Sequence, residues 1–85
     1  MSGGTSMRAR VYVSLKPSVF DPQGRVVADA LTQMGYADVT DVRQGKFFEV
    51  ELSGSDLSAA KARVTEMADK LLANPVIESY RVEIL

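Results

Sequence analysis

The chain has 85 residues, 10 basic and 11 acidic side chains for a net charge of −1, and neither cysteine nor histidine. That length allows one domain. Without cysteine or histidine it has no disulfide, no thiolate nucleophile, and neither the commonest metal ligand nor the usual general base. Balanced charge also argues against a non-specific nucleic-acid binder, which needs a basic surface to displace counterions.

No apolar run approaches the length that crosses a bilayer and no hydrophobic leader is visible, so the expectation is a soluble, cytoplasmic protein. A chain this short hides only roughly 60–65% of its unfolded surface, which favours association with itself or with other chains. Residues 1–6, MSGGTS, read as a flexible leader or cloning remnant, leaving 7–85 as the domain.

Met7, Ala9, Val11, Val13 and Leu15 alternate with polar neighbours, the period of a half-buried strand, and Lys16-Pro17 ends it. Asp21 stands at an N-cap position with Pro22 behind it at the first helical position. Val26, Val27, Ala30, Leu31 and Met34 then recur at helical spacing, a predicted inward stripe, and Gly35 closes the helix. Ala37 to Gln44, with Val39 and Val42 apolar, is predicted as a second strand joined through a tight Gln44-Gly45 turn to a third. In that third strand, Lys46 to Leu52, Phe48, Val50 and Leu52 face one way while Phe47, Glu49 and Glu51 face the other. Ser55 is the expected cap of a second helix, with Asp56 favoured by the dipole, and Leu57, Ala60, Val64, Met67, Ala68 and Leu71 trace its stripe. Asn74-Pro75 stops it, and Val76 to Leu85 alternates as a fourth strand with Tyr80, Val82 and Ile84 inward.

The predicted order is β-α-β-β-α-β: an α+β fold of ferredoxin-like type, with a four-stranded, mainly antiparallel sheet and two helices on one face. The other face, carrying Arg8, Arg10, Tyr12, Ser14, Phe47, Glu49, Glu51, Arg81 and Glu83, would stay open, polar with aromatics embedded, to solvent or to a wet interface.

Candidate chemistry is sparse. The Asp21-Pro22-Gln23-Gly24 turn offers helix-start N–H groups to a phosphate, but no P-loop or dinucleotide pattern accompanies it, and a well-made cap explains it. Arg43 and Lys46 flank the predicted hairpin tip, as a contact for an acidic partner or a phosphate, or as ordinary surface. Glu49 and Glu51 share a strand face, yet pairing with Arg8, Arg10 or Arg81 suits them better than acid–base or metal chemistry. Tyr12, Phe47 and Tyr80 lack the basic, glycine-rich context of an RNA-stacking sheet. Three kinds of role stay open at this level: a subunit of a larger enzyme, a small-ligand regulatory domain and a nucleic-acid module.

Longer stretches separate them. LKPSVFDPQG, VRQGKFFEVEL and LLANPVIESYRVEIL, in that order across Met7 to Leu85, resemble the PurS family, the small subunit of phosphoribosylformylglycinamidine synthase in purine biosynthesis. The resemblance implies a chain without a catalytic, cofactor or metal site of its own, in an ATP-dependent complex whose large synthetase subunit would hold ATP and magnesium. It implies partners of two kinds: a second copy, as a homodimer and potentially a dimer of dimers, and the synthetase and glutaminase subunits, bridged for ammonia transfer. The expected interface residues are Arg10, Tyr12, Asp21, Gln23, Arg43, Lys46, Phe47, Asn74 and Tyr80. An ACT-like amino-acid-binding regulatory domain, with its ligand near Lys16 to Gly24, is the alternative.

Overall fold

In the computed structural model, which describes residues 6–85, the first alternating stretch becomes β1 (Ser6–Leu15), with Ala9, Val11 and Val13 buried. The expected leader lies outside the described residues apart from Ser6, which opens that strand. Helix α1 (Pro22–Gln33) starts as its sequence demands: Asp21 accepts from the Gly24 N–H at 2.9 Å and Pro22 follows it. Gly35 takes a φ of 105° after the last turn. Then come β2 (Gly45–Ser53), α2 (Leu57–Met67), one wide π-helical turn over Ala68–Leu72, and β3 (Glu78–Ile84).

The sheet order is β2-β1-β3, and both pairings are antiparallel. Register sorts the side chains into rows. Ile84–Ala9–Val50, Val82–Val11–Phe48 and Tyr80–Val13–Lys46 share the inner face. Glu83–Arg10–Glu49 and Arg81–Tyr12–Phe47 share the outer one. A slip of one residue would exchange the two sets, so burial of the β1 valines fixes the pairing. The core joins Ala9, Val11, Val13 and Leu52 to Ala60, Val64, Ala68 and Ala73.

The structure corrects several sequence expectations. Residues 37–44 form no strand, and the Gln44-Gly45 hairpin does not exist: β2 pairs with β1, giving three strands instead of four. Val39 and Val42 are three apart with Asp41 between them, so no single face of an extended segment could be buried. Its backbone groups are used locally; the Val39 N–H donates to the Tyr36 carbonyl at 3.2 Å and the Gln44 N–H to Asp21.

Second, α1 does not share the inner face with α2. Val26, Val27 and Met34 are 68%, 41% and 71% exposed, Ala30 is exposed, and Leu31 is half-buried; only Gly24 and Ala28 are buried in this helix. The molecule is accordingly long, 53 × 29 × 18 Å, with a radius of gyration of 17.0 Å against roughly 12 Å for a compact domain of this length. Among the described residues α2 and the turn that follows it roof the sheet, α2 lying over β3 and β1.

Third, the π turn shifts the stripe of the second helix. The Ala73 N–H donates to the Ala68 carbonyl at 2.9 Å, a five-residue step that admits one extra residue. Ala73 is thereby buried while Leu71, predicted inward, is 83% exposed, and Leu57 at the other end is exposed too. Fourth, Asp56 rather than Ser55 caps α2, accepting from the Ala59 N–H at 3.1 Å, where one carboxylate supplies both the hydrogen bond and the charge the dipole favours.

The last strand begins at Glu78, because Val76 and Ile77 belong to a turn closed by Asn74. Among the described residues no helix is long and apolar enough to cross a membrane.

Candidate functional site

The residues singled out in the sequence fall into three groups, with Asn74 on its own. Arg10, Tyr12 and Phe47 meet on the outer sheet face. The Arg10 guanidinium pairs with Glu49, donates to the Tyr12 hydroxyl at 3.3 Å and sits 5.1 Å from the Phe47 ring centre. Tyr12 donates to Glu83 at 3.2 Å, lies 6.1 Å from the Phe47 ring, and is covered by the Arg81 guanidinium at 4.3 Å. Cross-strand charge pairing thus absorbs Glu49, as its position opposite Arg10 requires. Donation to Tyr12 and to Glu49 holds Arg10 still more firmly in its charged form. Such a surface is ordered, charged in both signs and aromatic, which suits contact with another polar protein surface.

Asp21, Gln23 and Arg43 meet at the root of α1. Asp21 is only 6% exposed and spends both oxygens on backbone donors, Gly24 N–H at 2.9 Å and Gln44 N–H at 2.7 Å. Those two donors, Gln44 ahead of Gly24, hold its carboxyl below the ordinary range; burial opposes them and the Arg43 charge assists. Arg43 donates from one guanidinium nitrogen to the carbonyls of Lys16 at 2.9 Å and Val19 at 2.8 Å. The helix start is therefore occupied by its own carboxylate.

Lys46 and Tyr80 belong to the inner face, not to a hairpin tip. They flank Val13 in one row, with the Lys46 ammonium 5.7 Å from the Phe48 ring and 3.9 Å from Glu78. Arg43 and Lys46 therefore do not form the paired cationic tip expected of them. Asn74 stays apart as the organiser of the turn before β3: its side-chain oxygen accepts from Val76 N–H at 3.0 Å and its N–H donates to Glu78 at 2.7 Å. Asp21, Gln23, Gln44, Lys46 and Glu78 line a shallow cleft of about 360 Å³ at the end of β1. Sequence reading missed the union of Asp21 with Gln44 and of Arg43 with the 16–19 carbonyls. Opposite charge at the two ends of the excursion containing α1 was the one available hint.

The comparisons settle which family this architecture serves. Residues 8–85 match the family model described as "PurS: Phosphoribosylformylglycinamidine (FGAM) synthase". The chain is 52% identical over 77 residues to the PurS subunit of Bacillus subtilis, covering 91% of this chain and 90% of that protein. It is 47% identical over 79 residues to the Synechocystis subunit, covering 93% and 79%. Among solved structures, Bacillus subtilis PurS superposes with a TM-score of 0.77 at 51% identity, covering 93% of this chain and 98% of that one. A chain in the structure of PurLQS from Thermotoga maritima superposes with 0.86 at 27% identity, covering 95% and 99%. The family match over residues 8–85, together with relatives about half identical over nearly the whole chain, leads to one conclusion: this protein belongs to the PurS family of FGAM synthase subunits in purine biosynthesis.

Proposed function

We propose that this FGAM synthase subunit contributes architecture in place of chemistry. In this reading it dimerises, and the dimer joins the ATP-using synthetase subunit to the glutaminase subunit so that ammonia passes between them in the cytoplasm. ATP and magnesium belong to the synthetase, and this chain carries no catalytic residue or cofactor. Holding two enzymes together replaces dilution into water by a high effective concentration of the intermediate. Similarity to a chain of the PurLQS structure supports the joining role.

The observation that carries the dimer is a mismatch between two surfaces of one chain. Helix α1 presents Val26, Val27 and Met34 to solvent, while α2 lies over β3 and β1 and leaves Phe48 and Val50 of β2 half-buried. Within the chain these surfaces do not meet; across two copies each covers the other, as apolar patches of this kind require. Arg10, Tyr12 and Phe47 on the outer face then remain for the companion subunits. Sedimentation of the purified chain, followed by mixing with both companion subunits in the presence of glutamine and ADP, tests the reading. A dimer that co-elutes with both and has no ATPase or glutaminase turnover alone is expected. A chain that stays monomeric at high concentration, ignores both companions and turns over a substrate unaided overturns it.

A further inference from the structure

The root of α1 is built more elaborately than a helix start needs. A cap requires one acceptor for the Gly24 N–H, which a serine or asparagine supplies equally well. Asp21 brings a second oxygen, and that oxygen accepts from Gln44 N–H at 2.7 Å, across the whole excursion of the chain that contains the helix. Arg43, its neighbour on the returning segment, reaches back to the Lys16 and Val19 carbonyls at 2.9 and 2.8 Å. Between these bonds the two backbones come so close that a Cβ on Gly24 would stand 2.1 Å from the Val42 carbonyl oxygen. Each of these contacts ties the outgoing segment, 16–24, to the returning one, 42–44. Beyond them, among the residues of α1, only Ala28 is buried.

We infer that Asp21 and Arg43 form a clasp that aims α1, fixing the angle at which its apolar stripe is offered to a second copy. The inference rests on the dimer proposed above and adds the device that makes the arm receivable. Its mechanical case is direct. Twelve residues make an arm roughly 18 Å long, and a swing of about 20° at the root displaces the tip by roughly 6 Å. Packed elements stand about 8–10 Å apart, so such a displacement takes the stripe out of register with any surface it packs against. An unclasped arm also loses conformational freedom on docking that a clasped one has already given up, which weakens association.

Asp21→Asn separates the clasp from the cap. Its amide oxygen still caps Gly24, but its NH2 group faces another donor at Gln44. Arg43→Gln breaks the other half without touching the cap. Because the chain has no cysteine, Gln33→Cys and Ser53→Cys place two spin labels at the arm tip and the end of β2; dilution with unlabelled chain isolates the distance within one copy. The expected result is one narrow distance in the parent. Either clasp variant broadens or shifts it by several ångström and weakens dimerisation at least tenfold, with helix content unchanged by circular dichroism. Distances and dimerisation matching the parent in both variants overturn the clasp. A parent that shows the narrow distance yet never dimerises overturns the dimer reading and leaves the clasp standing. Should one variant fail to fold, the other decides.

Discussion

Helices α1 and α2 are written in the same language and end in different surroundings. Both open on a carboxylate that caps the first turn, and both carry apolar side chains at helical spacing. Yet Ala60, Val64 and Ala68 of the second helical segment are buried on the sheet, whereas Val26, Val27 and Met34 of α1 stand in solvent. Connection length accounts for the difference. Only residues 54–56 lead from β2 into α2, and after the wide turn residues 73–77 return to β3, so its stripe has nowhere to go but the inner face. Residues 16–21 and 34–44 flank α1, and the chain between them is long enough to stand away. An amphipathic stripe therefore states that an apolar neighbour is required, without saying which molecule supplies it.

Removing side chains from the two stripes is the sharpest way to break that comparison. Val64→Ala deletes two methyl groups from a fully buried site and is expected to cost about 2–3 kcal/mol in denaturant unfolding. The double change Val26→Ser and Met34→Ser should leave unfolding of the dilute chain unaltered and weaken self-association at least tenfold, about 1.4 kcal/mol, by sedimentation. If the α1 pair lowers the stability of the dilute monomer as much as Val64→Ala does, the two helices are equivalent after all.

Much of this was legible in advance because local chemistry left few options. Asp21-Pro22 and Gly35 delimit α1 by capping and φ preference alone, and the alternation of β1 and β3 follows from one-sided burial. Pairing of Glu49 with Arg8, Arg10 or Arg81 was expected from face assignment, and the register selects Arg10. What the sequence could not reveal depended on competition between neighbours. Gly45 after Gln44 looks like a turn, but β1 offers a better pairing edge than the weak 37–44 segment. Leu71 continues a regular 3.6 period, yet the wide turn at Ala68–Leu72 carries it outward. The clasp needed knowledge that residues 21 and 44, at opposite ends of an arm, come back together.

Smaller effects probe the root of that arm. Gly24→Ala should destabilise by about 1–2 kcal/mol, since overpacking against the Val42 carbonyl outweighs the gain in helix propensity. Thermal unfolding checks it, and a stabilised variant would show that the two backbones part freely. Asp21 also predicts a pH signature. Its folded carboxyl titrates below the unfolded one, so the stability it contributes is present above about pH 4 and is lost as the pH falls through the lower folded value. The difference in stability between the parent and Asp21→Asn should hold constant from neutral pH to about 4 and then shrink. A difference that instead grows on acidification contradicts the role given to its two backbone donors.

The weakest predicted effect separates the helices by how each is held in place. Glu66 and Lys70 pair at 3.7 Å on the exposed side of the second helical segment, and Arg25 pairs with Asp29 at 2.9 Å on α1. Lys70→Ala should change global unfolding by about 0.3–0.5 kcal/mol, an effect that salt suppresses, because the buried stripe already holds that segment. In the dilute chain Arg25→Ala should leave global unfolding alone and speed amide exchange across α1, where the arm has little besides its root and its own side chains to keep it helical. Amide exchange of both variants measures the contrast directly. Equal acceleration in the two segments would mean that α1 is held within one chain as firmly as α2 is held on the sheet, and a helix so held has no need of a second copy.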